Sequence, residues 1–344
     1  MQNSIKVLSI VIIFCLVACQ TPPILPVTTI GIASCANQDT PQPLLGIAAN
    51  YKPDYFIFLG DNIYGDTDNM DTLRAKYQRW GAQPYFQELK KATRLFATWD
   101  DHDYGVNDGG REYSKKEASK EVFLRFWGEP AETARRQRPG IYTSYRFTDP
   151  KSKRTLQLIV LDTRTFRSPL VKHTVLSYKN DYRPDASPGN TFLGAEQWAW
   201  LEEQLRQPAD LRLIASSIQF AHEYNGYESW TNFPNEVEKM VQLIATTRAN
   251  GVVFLSGDVH WGEISVLKSP VCYPLYDLTA SGINTEWDSV EPNRNRLGEA
   301  CREHHFGLIE IDWSAADPLV SLQVRDGTGR TRVKSAVRLS RLRF

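Results

Sequence analysis

Apolar residues occur along the chain in short runs that end at glycine or acidic residues, which is the pattern of buried strands. We predict strands over 27–33, 55–59, 94–99, 142–147, 156–161, 211–216 and 252–255, followed by β segments near 262–268, 274–280, 305–313, 318–325 and 331–339. Between several strands the apolar positions recur at helical spacing, most clearly over 114–127, 194–207 and 235–248. Strands that alternate with crossovers favour parallel pairing, so we expect an α/β protein with two packed sheets and helices outside.

Polar residues with metal-binding chemistry follow four of these strands. The four strand ends are Ser34-Cys35, Gly60-Asp61-Asn62-Ile63-Tyr64, Trp99-Asp100-Asp101-His102-Asp103 and Gly257-Asp258-Val259-His260. Because parallel strands end at one edge of a sheet, these residues are expected to converge on one site. Carboxylates, an imidazole, a phenol and a thiol are all known metal ligands.

The ligand types indicate a mixed metal centre. Asp61 is placed to bridge two cations roughly 3.5 to 4 Å apart, the separation found in two-metal hydrolases. Thiolate and phenolate from Cys35 and Tyr64 favour a redox-capable transition metal, whereas oxygens from Asp101 and Asn107 suit a hard ion such as calcium.

Each motif also has a structural alternative. A Gly-Asp pair after a strand is often only a turn with an Asx cap, Asp258 and His260 fit a structural hydrogen-bonded pair, and Cys35 alone fits a buried thiol. Uncompensated carboxylates beside Trp99 repel one another, which favours a cation over a solvated loop. Four such strand ends in one chain favour the metal site.

Charge and composition exclude one class of partner. Forty Lys and Arg balance forty Asp and Glu in the 344 residues, so there is no basic excess for bulk nucleic-acid binding.

The N-terminus has the pattern of a bacterial lipoprotein signal. Lys6 precedes the apolar run 7–17, which is too short to span a bilayer and suits a signal peptide. The run ends in Leu16-Val17-Ala18-Cys19, which resembles a lipobox and implies cleavage before Cys19 and lipidation of its sulfur; an ordinary cleaved signal is the alternative. We therefore expect a signal at 1–19, a tether at 20–26, and a mature protein held outside the cytoplasm by a lipid anchor, by default at the outer membrane of a Gram-negative host.

Cys272 and Cys301 remain as a pair in the expected oxidising compartment. A disulfide and two separate buried thiols are both consistent with the sequence, because spacing alone does not set their separation.

Taken in order, the motifs resemble the PhoD-like alkaline phosphatase and phosphodiesterase family, a branch of the calcineurin-like metallophosphatases. The resemblance runs from Ile30 through His260, and it also rests on Leu161-Asp162-Thr163-Arg164 and on the stretch 228–234. It implies a four-layer α/β/β/α sandwich, here over 27–344, with an iron and calcium site that cleaves phosphate monoesters or diesters by metal-activated hydroxide. Because the first motif follows so soon after Cys19, we expect the N-terminal β-sandwich domain of larger members to be missing.

The resemblance also implies residue roles. Ferric iron would be held by Cys35, Tyr64 and Asp258, with Asp61 bridging; calcium would be served by Asp101, Asn107 and His260. His102 takes the place of the histidine that contacts phosphate and assists the leaving group. Arg164 is a candidate phosphate contact, with a structural salt bridge as its alternative.

An aromatic loop in the middle of the chain suggests further substrate contacts and a rival function. The aromatic loop with Tyr224, Tyr227 and Trp230 is a candidate surface for an acyl chain or sugar, with ordinary packing as its alternative. It suits the first rival function, a phospholipase or phosphodiesterase on lipid or polymer substrates. The second rival is a non-catalytic metal-binding surface lipoprotein. His222 matches no family histidine and is interpreted as a loop residue or one that supports the ligands.

Overall fold

The computed structural model describes residues 27–149, 153–174 and 182–344. The predicted signal, the lipidation site Cys19 and the tether lie outside these residues. Among the helices that are described, none combines the length and the apolar character needed to cross a membrane.

The described chain forms fourteen strands and eight α-helices. The strands are β1 Val27–Ala33, β2 Tyr55–Leu59, β3 Arg94–Thr98, β4 Thr143–Thr148, β5 Thr155–Val160, β6 Val171–Lys172, β7 Tyr182–Arg183, β8 Leu211–Ala215, β9 Val252–Ser256, β10 Gly262–Leu267, β11 Leu275–Ala280, β12 His305–Asp312, β13 Leu319–Asp326 and β14 Thr331–Arg338. The helices are α1 Pro43–Asn50, α2 Met70–Gly81, α3 Pro84–Ala92, α4 Asp101–Tyr104, α5 Lys116–Phe126, α6 Ala134–Gln137, α7 Gly194–Leu205 and α8 Pro234–Thr247.

Two six-stranded sheets contain most of the strands. The first has the order β14-β13-β12-β1-β2-β3, and the second has the order β10-β11-β9-β8-β5-β4. Strands β1, β2 and β3 are parallel, as are β5, β8, β9 and β11. The parallel pairing that the sequence predicts is therefore present at the centre of both sheets, and the antiparallel strands lie beside it.

The β-rich tail joins the first sheet. Strand β12 pairs antiparallel with β1, in a register that places Ile30 opposite Ile309, and β13 and β14 extend the sheet outward. The sequence predicts these strands but not their partner, because the pairing joins the two ends of the described chain.

The alternation of side chains along the strands divides the core. On β1 and β2, Ile32 and Ile57 belong to the core cluster that also contains the buried residues of the second sheet, α7 and α8. Phe56 and Phe58 point to the opposite face and pack in a second cluster with α1, α2, α3 and α5. Helices thus cover both outer faces, which confirms the predicted α/β/β/α sandwich.

The two late cysteines are free thiols rather than a disulfide. Cys301 is buried and Cys272 is half-buried, so the alternative of two separate thiols describes the structure.

Candidate metal centre

The predicted ligands meet because the strand ends approach one another closely. Gly60 follows β2 with φ at 99°, and a Cβ on it would lie 2.5 Å from the Cβ of Asp100. Gly257 follows β9, and a Cβ there would lie 2.3 Å from the hydroxyl of Ser34. Only glycine fits both positions, so these two residues allow the ends of β2 and β3, and of β1 and β9, to come together.

Four candidate ligands have a left-handed backbone. Their φ angles are 60° at Cys35, 48° at Asp61, 73° at Asp258 and 58° at His260. Non-glycine residues in this region carry a cost of about 1–3 kcal/mol each and cluster at functional sites. The backbone strain therefore falls on residues that the sequence singled out for chemistry.

The thiol and the phenol lie on one side of the site. Cys35 Sγ is 3.4 Å from Asp61 Oδ2 and 3.1 Å from Ser281 Oγ. Tyr64 Oη is 3.3 Å from His260 Nε2. Cys35, Asp61 and His260 each offer one ligand atom, and these three atoms lie within 4.8 Å of one another. This group can hold a transition metal through soft and hard ligands together.

Four carboxylates form the neighbouring part of the site. Asp61, Asp100, Asp101 and Asp258 each offer an oxygen, and all four oxygens lie within 4.8 Å of one another. Asp61 Oδ1, Asp100 Oδ2 and Asp101 Oδ1 are buried without a hydrogen-bond partner. Arg164 pairs with Asp100 and lies 3.7 Å from Asp101 Oδ1, but one guanidinium cannot balance four carboxylates this close, so further positive charge is required. The residues therefore fit bound cations, with Asp61 shared by both groups.

Burial shifts the pKa values of these groups strongly. It raises the pKa of Cys35 well above its usual value, and the Asp61 carboxylate raises it further. Burial likewise raises the pKa of Asp61 and of Asp258, with neighbouring carboxylates adding to the effect. Burial and nearby His102 lower the pKa of His260 to about 4, which keeps its imidazole neutral, as metal coordination requires.

His102 is held beside the carboxylates by an acidic partner. Its Nδ1 lies 2.7 Å from Asp66 Oδ1, and its ring packs 4.3 Å from the ring of Tyr64, measured between centroids. Burial alone lowers the pKa of His102, but Asp101, Asp61 and Asp66 outweigh it and raise the value to about 11. The protein by itself therefore favours the imidazolium, which can donate a proton; cations on the same carboxylates would lower that pKa again.

Arg164 is buried in an ion-pair network rather than exposed to the site. Its side chain is fully inaccessible and pairs with Asp100 and Glu228, and Arg167 lies 3.1 Å from Glu228 Oε1. Burial lowers the pKa of Arg164, but Asp100 and Glu228 outweigh it and raise the pKa. This placement supports the structural salt bridge, the alternative stated for Arg164.

Trp230 also lies away from the site. Its ring is fully buried against Phe192 and Phe220, and its indole N–H donates to Ser216 Oγ at 3.0 Å. A ring with no exposed surface cannot contact substrate, so the predicted substrate role of Trp230 is corrected to core packing. His222 is buried as well, and its Nδ1 accepts from the Tyr224 amide.

Asn107 is exposed, and the next residue, Asp108, contacts the acidic cluster. The amide of Asp108 donates to Asp101 Oδ2 at 2.7 Å, and carboxylate oxygens of Asp101, Asp108 and Glu228 lie within 4.8 Å of one another. Arg164 and Arg167 pair with Glu228, so arginine side chains already compensate negative charge in this third group of carboxylates.

Two supporting residues are not predicted from the sequence. Asp66 lies two positions beyond the Tyr64 motif, and its acidic character within that loop is the signal that points to it. Ser281 follows β11, and no sequence motif marks it. Its hydroxyl contacts Cys35 Sγ and accepts a hydrogen bond from the His260 amide at 2.9 Å. Ser281 therefore positions one candidate ligand that follows a strand of the first sheet and one that follows a strand of the second.

A two-sheet α/β sandwich with clustered carboxylates, thiol, phenol and imidazole at its strand ends defines a metallophosphatase-type protein. A model of the family described as PhoD-like phosphatase matches residues 30–287. The chain belongs to this family.

Individual relatives agree with the family and differ in length. The chain is 25% identical to alkaline phosphatase D of Bacillus subtilis (strain 168), over 62% of this chain and 42% of that relative. It therefore spans less than half the length of this curated relative. A solved structure titled as that of PhoD superposes with a TM-score of 0.68 at 19% identity, covering 91% of this chain and 69% of the other.

The same fold occurs in a protein with a different description. GAP50, described as the anchor in the inner membrane complex of Plasmodium, superposes with a TM-score of 0.56 at 12% identity, covering 91% of this chain and 89% of the other. Because a fold does not by itself specify an activity, the ligand set rather than the architecture supports the function proposed next.

Proposed function

We propose that the protein is a metal-dependent hydrolase of phosphate esters. The observation that carries this proposal is the buried group of Asp61, Asp100, Asp101 and Asp258, whose oxygens lie within 4.8 Å of one another. Three of these carboxylates have an oxygen without a hydrogen-bond partner, so the cluster is suited to cations rather than to a purely structural role.

The ligand types support iron and calcium as the metals. By the family resemblance Cys35, Tyr64 and Asp258 would hold ferric iron, Asp61 would bridge, and Asp101, Asn107 and His260 would hold calcium. The geometry also brings a ring nitrogen of His260 within 4.8 Å of the Cys35 ligand atom, so His260 is within reach of the iron side too. When bound, such ions lower the pKa of water and neutralise charge on phosphoryl oxygens. The Cys35 thiolate together with the Tyr64 phenolate supports a redox-capable transition metal, and carboxylate and amide oxygens support calcium.

The chain's own residues would manage charge and protons. Water attacks phosphorus and gives up one proton to solvent, the ester P–O bond breaks, and the departing oxygen gains a proton. His102 is half-buried at the site, and Asp66 orients its ring through Nδ1, so Nε2 is the atom that delivers this proton. Arg164 keeps Asp100 and Glu228 in place and thereby holds the wall of the site.

The location follows from the N-terminal pattern. We propose that Cys19 carries lipid and that the domain works outside the cytoplasm, tethered to a bacterial membrane through residues 20–26. The balanced charge supports a small ester substrate over a nucleic-acid polymer.

The test is hydrolysis of a mono(4-nitrophenyl) and a bis(4-nitrophenyl) phosphate by the chain without residues 1–19. Iron and calcium are supplied together and singly, and each assay is repeated after chelation. Turnover that chelation abolishes and the two metals restore supports the proposal, and the ratio of the two rates distinguishes monoesterase from diesterase. Unchanged turnover after complete metal removal, or none with both metals bound, would contradict it.

A further inference from the structure

Trp287 lies flat on one of the candidate metal ligands. Its ring and that of His260 are nearly parallel, at an interplanar angle of 8° with centroids 4.7 Å apart. Trp287 belongs to the segment 281–304 between β11 and β12, and it is half-buried. Trp287 therefore lies beside the ligand set, although the hydrolysis proposed above assigns it no function.

The segment around Trp287 is held on both sides. Before it, the Asn284 side chain donates to Asn37 O and accepts from the Asn37 amide, and the Thr285 hydroxyl donates to Cys35 O at 3.0 Å. After it, Arg302 donates to Asp288 O at 2.8 Å. The ring is therefore positioned before any substrate arrives, which lowers the entropy cost of binding against it.

A second aromatic ring completes a wedge. Tyr227 comes from the loop after β8, and its ring lies 4.5 Å from Trp287 at an interplanar angle of 43°. Behind them, Trp261 is buried and lies 5.9 Å from Trp287. Trp287 is the more exposed of the two rings, and Tyr227 is buried against it, so Trp287 presents the accessible aromatic surface beside His260 and Tyr227 supports it.

The charges around Trp287 restrict what the wedge would accept. A cavity of about 240 Å³ is lined by Glu286, Trp287, Asp288, Arg302 and Glu303. Glu303 is paired with Arg332, so Glu286 and Asp288 against Arg302 leave a small negative excess, which disfavours a second phosphate group here. A neutral planar group can stack on the Trp287 ring without this repulsion.

We propose that Trp287, together with Tyr227, forms a stacking platform for the planar aromatic substituent of a phosphodiester, such as a nucleoside base or an aryl group. This inference rests on the proposed phosphoesterase function and names its substrate class. Stacking tolerates different rings because every one has a π face, so the platform selects a class of diesters rather than one base.

The experiment compares three diesters that release the same 4-nitrophenolate. They carry methyl, 4-nitrophenyl or thymidine 5′ as the retained substituent, and the aromatic leaving group is the same in all three, so its own contribution cancels when the rates are compared. Trp287→Ala is expected to lower kcat/KM by about tenfold for the two aromatic diesters, since stacking contributes about 1–3 kcal/mol, and less than threefold for the methyl diester. Trp287→Phe should retain most of the selectivity.

Controls and a binding assay separate the possible failures. Trp200→Ala removes a half-buried tryptophan that packs on Tyr142, and it should leave all three rates unchanged. Calorimetry of metal-loaded enzyme should show that wild type prefers phenylphosphonate to methylphosphonate and that Trp287→Ala loses this preference. An equal loss on all three diesters, or an unchanged phosphonate preference, would overturn the platform. Turnover of 4-nitrophenyl phosphate without turnover of any diester would overturn the diester assignment alone, whereas no turnover of any monoester or diester, with the phosphonate preference intact, would reject the phosphoesterase function and leave Trp287 as a ring-binding surface.

Discussion

The hydroxyl of Tyr64 lies 3.3 Å from Nε2 of His260, although 196 positions separate the two residues in the chain. Tyr64 follows β2 in the first sheet, and His260 follows β9 in the second. The site is therefore shared between the two sheets, and neither sheet alone supplies its ligands. This relationship makes the packing of the sheets a condition of activity.

Asp61 is expected to be essential because it belongs to both ligand groups. Asp61→Asn should lower kcat/KM for bis(4-nitrophenyl) phosphate by more than about 100-fold, since losing only a supporting partner of a metal ligand already costs ~10–100-fold. The bound metal, measured by elemental analysis, should fall as well. Asp71→Asn changes an exposed carboxylate on α2 and should leave both values unchanged; near-normal turnover of Asp61→Asn would exclude this site.

Asp66 is expected to affect esters with poor leaving groups most. Asp66→Asn removes the anionic partner of His102 Nδ1, so the imidazole loses orientation and proton-donating support. We expect about a tenfold lower kcat for phenyl phosphate and little change for 4-nitrophenyl phosphate, whose leaving group needs no proton. The matched control is Asp68→Asn in the same loop. Equal losses on both esters would show that Asp66 acts in some way other than through proton transfer.

Arg164 is expected to matter for stability more than for substrate affinity. Arg164→Met leaves the buried carboxylate of Asp100 without its cation and Glu228 with Arg167 alone, which should lower the free energy of unfolding by about 3–5 kcal/mol in urea denaturation. Arg74→Ala removes an exposed ion pair and should cost less than about 1 kcal/mol. An Arg164→Met protein of normal stability with a raised KM would instead establish a phosphate contact.

The protein is expected to lose stability on acidification because His305 is buried in its neutral form. It is fully buried, its Nε2 accepts from the Ser281 amide, and burial lowers its pKa to about 4. In the unfolded chain the pKa of His305 has its ordinary value of about 6.5. Between about pH 6.5 and pH 4 the unfolded chain therefore binds more protons than the folded chain, so the free energy of unfolding falls as the pH is lowered.

The size of this effect can be measured against a variant. The complete loss attributable to His305 is about 3 kcal/mol, reached below the folded pKa. His305→Gln keeps an acceptor for the Ser281 amide but does not titrate, so its urea stability should fall less than that of wild type between pH 7.5 and 4.5. Parallel pH dependences of the two proteins would contradict the assignment.

The sequence predicts those parts of the fold that depend on neighbouring residues. Apolar runs and helical spacing identify the main strands and helices, because alternation along a strand and recurrence along a helix are local properties. The residues after β1, β2, β3 and β9 identify the site, because parallel strand ends share an edge. Asp61, Tyr64, Asp258 and His260 follow from this rule and from the family resemblance.

Only the tertiary structure decides which distant residues meet. The pairing of β12 with β1, the ion pairs of Arg164 and the burial of Trp230 depend on packing between segments far apart in the chain. The same is true of the contact between Trp287 and His260. Local periodicity carries no information on such contacts, since they are selected by the shape and charge of the whole core. The sequence alone thus determined the ligand chemistry and the strand ends, while tertiary packing decided what surrounds them.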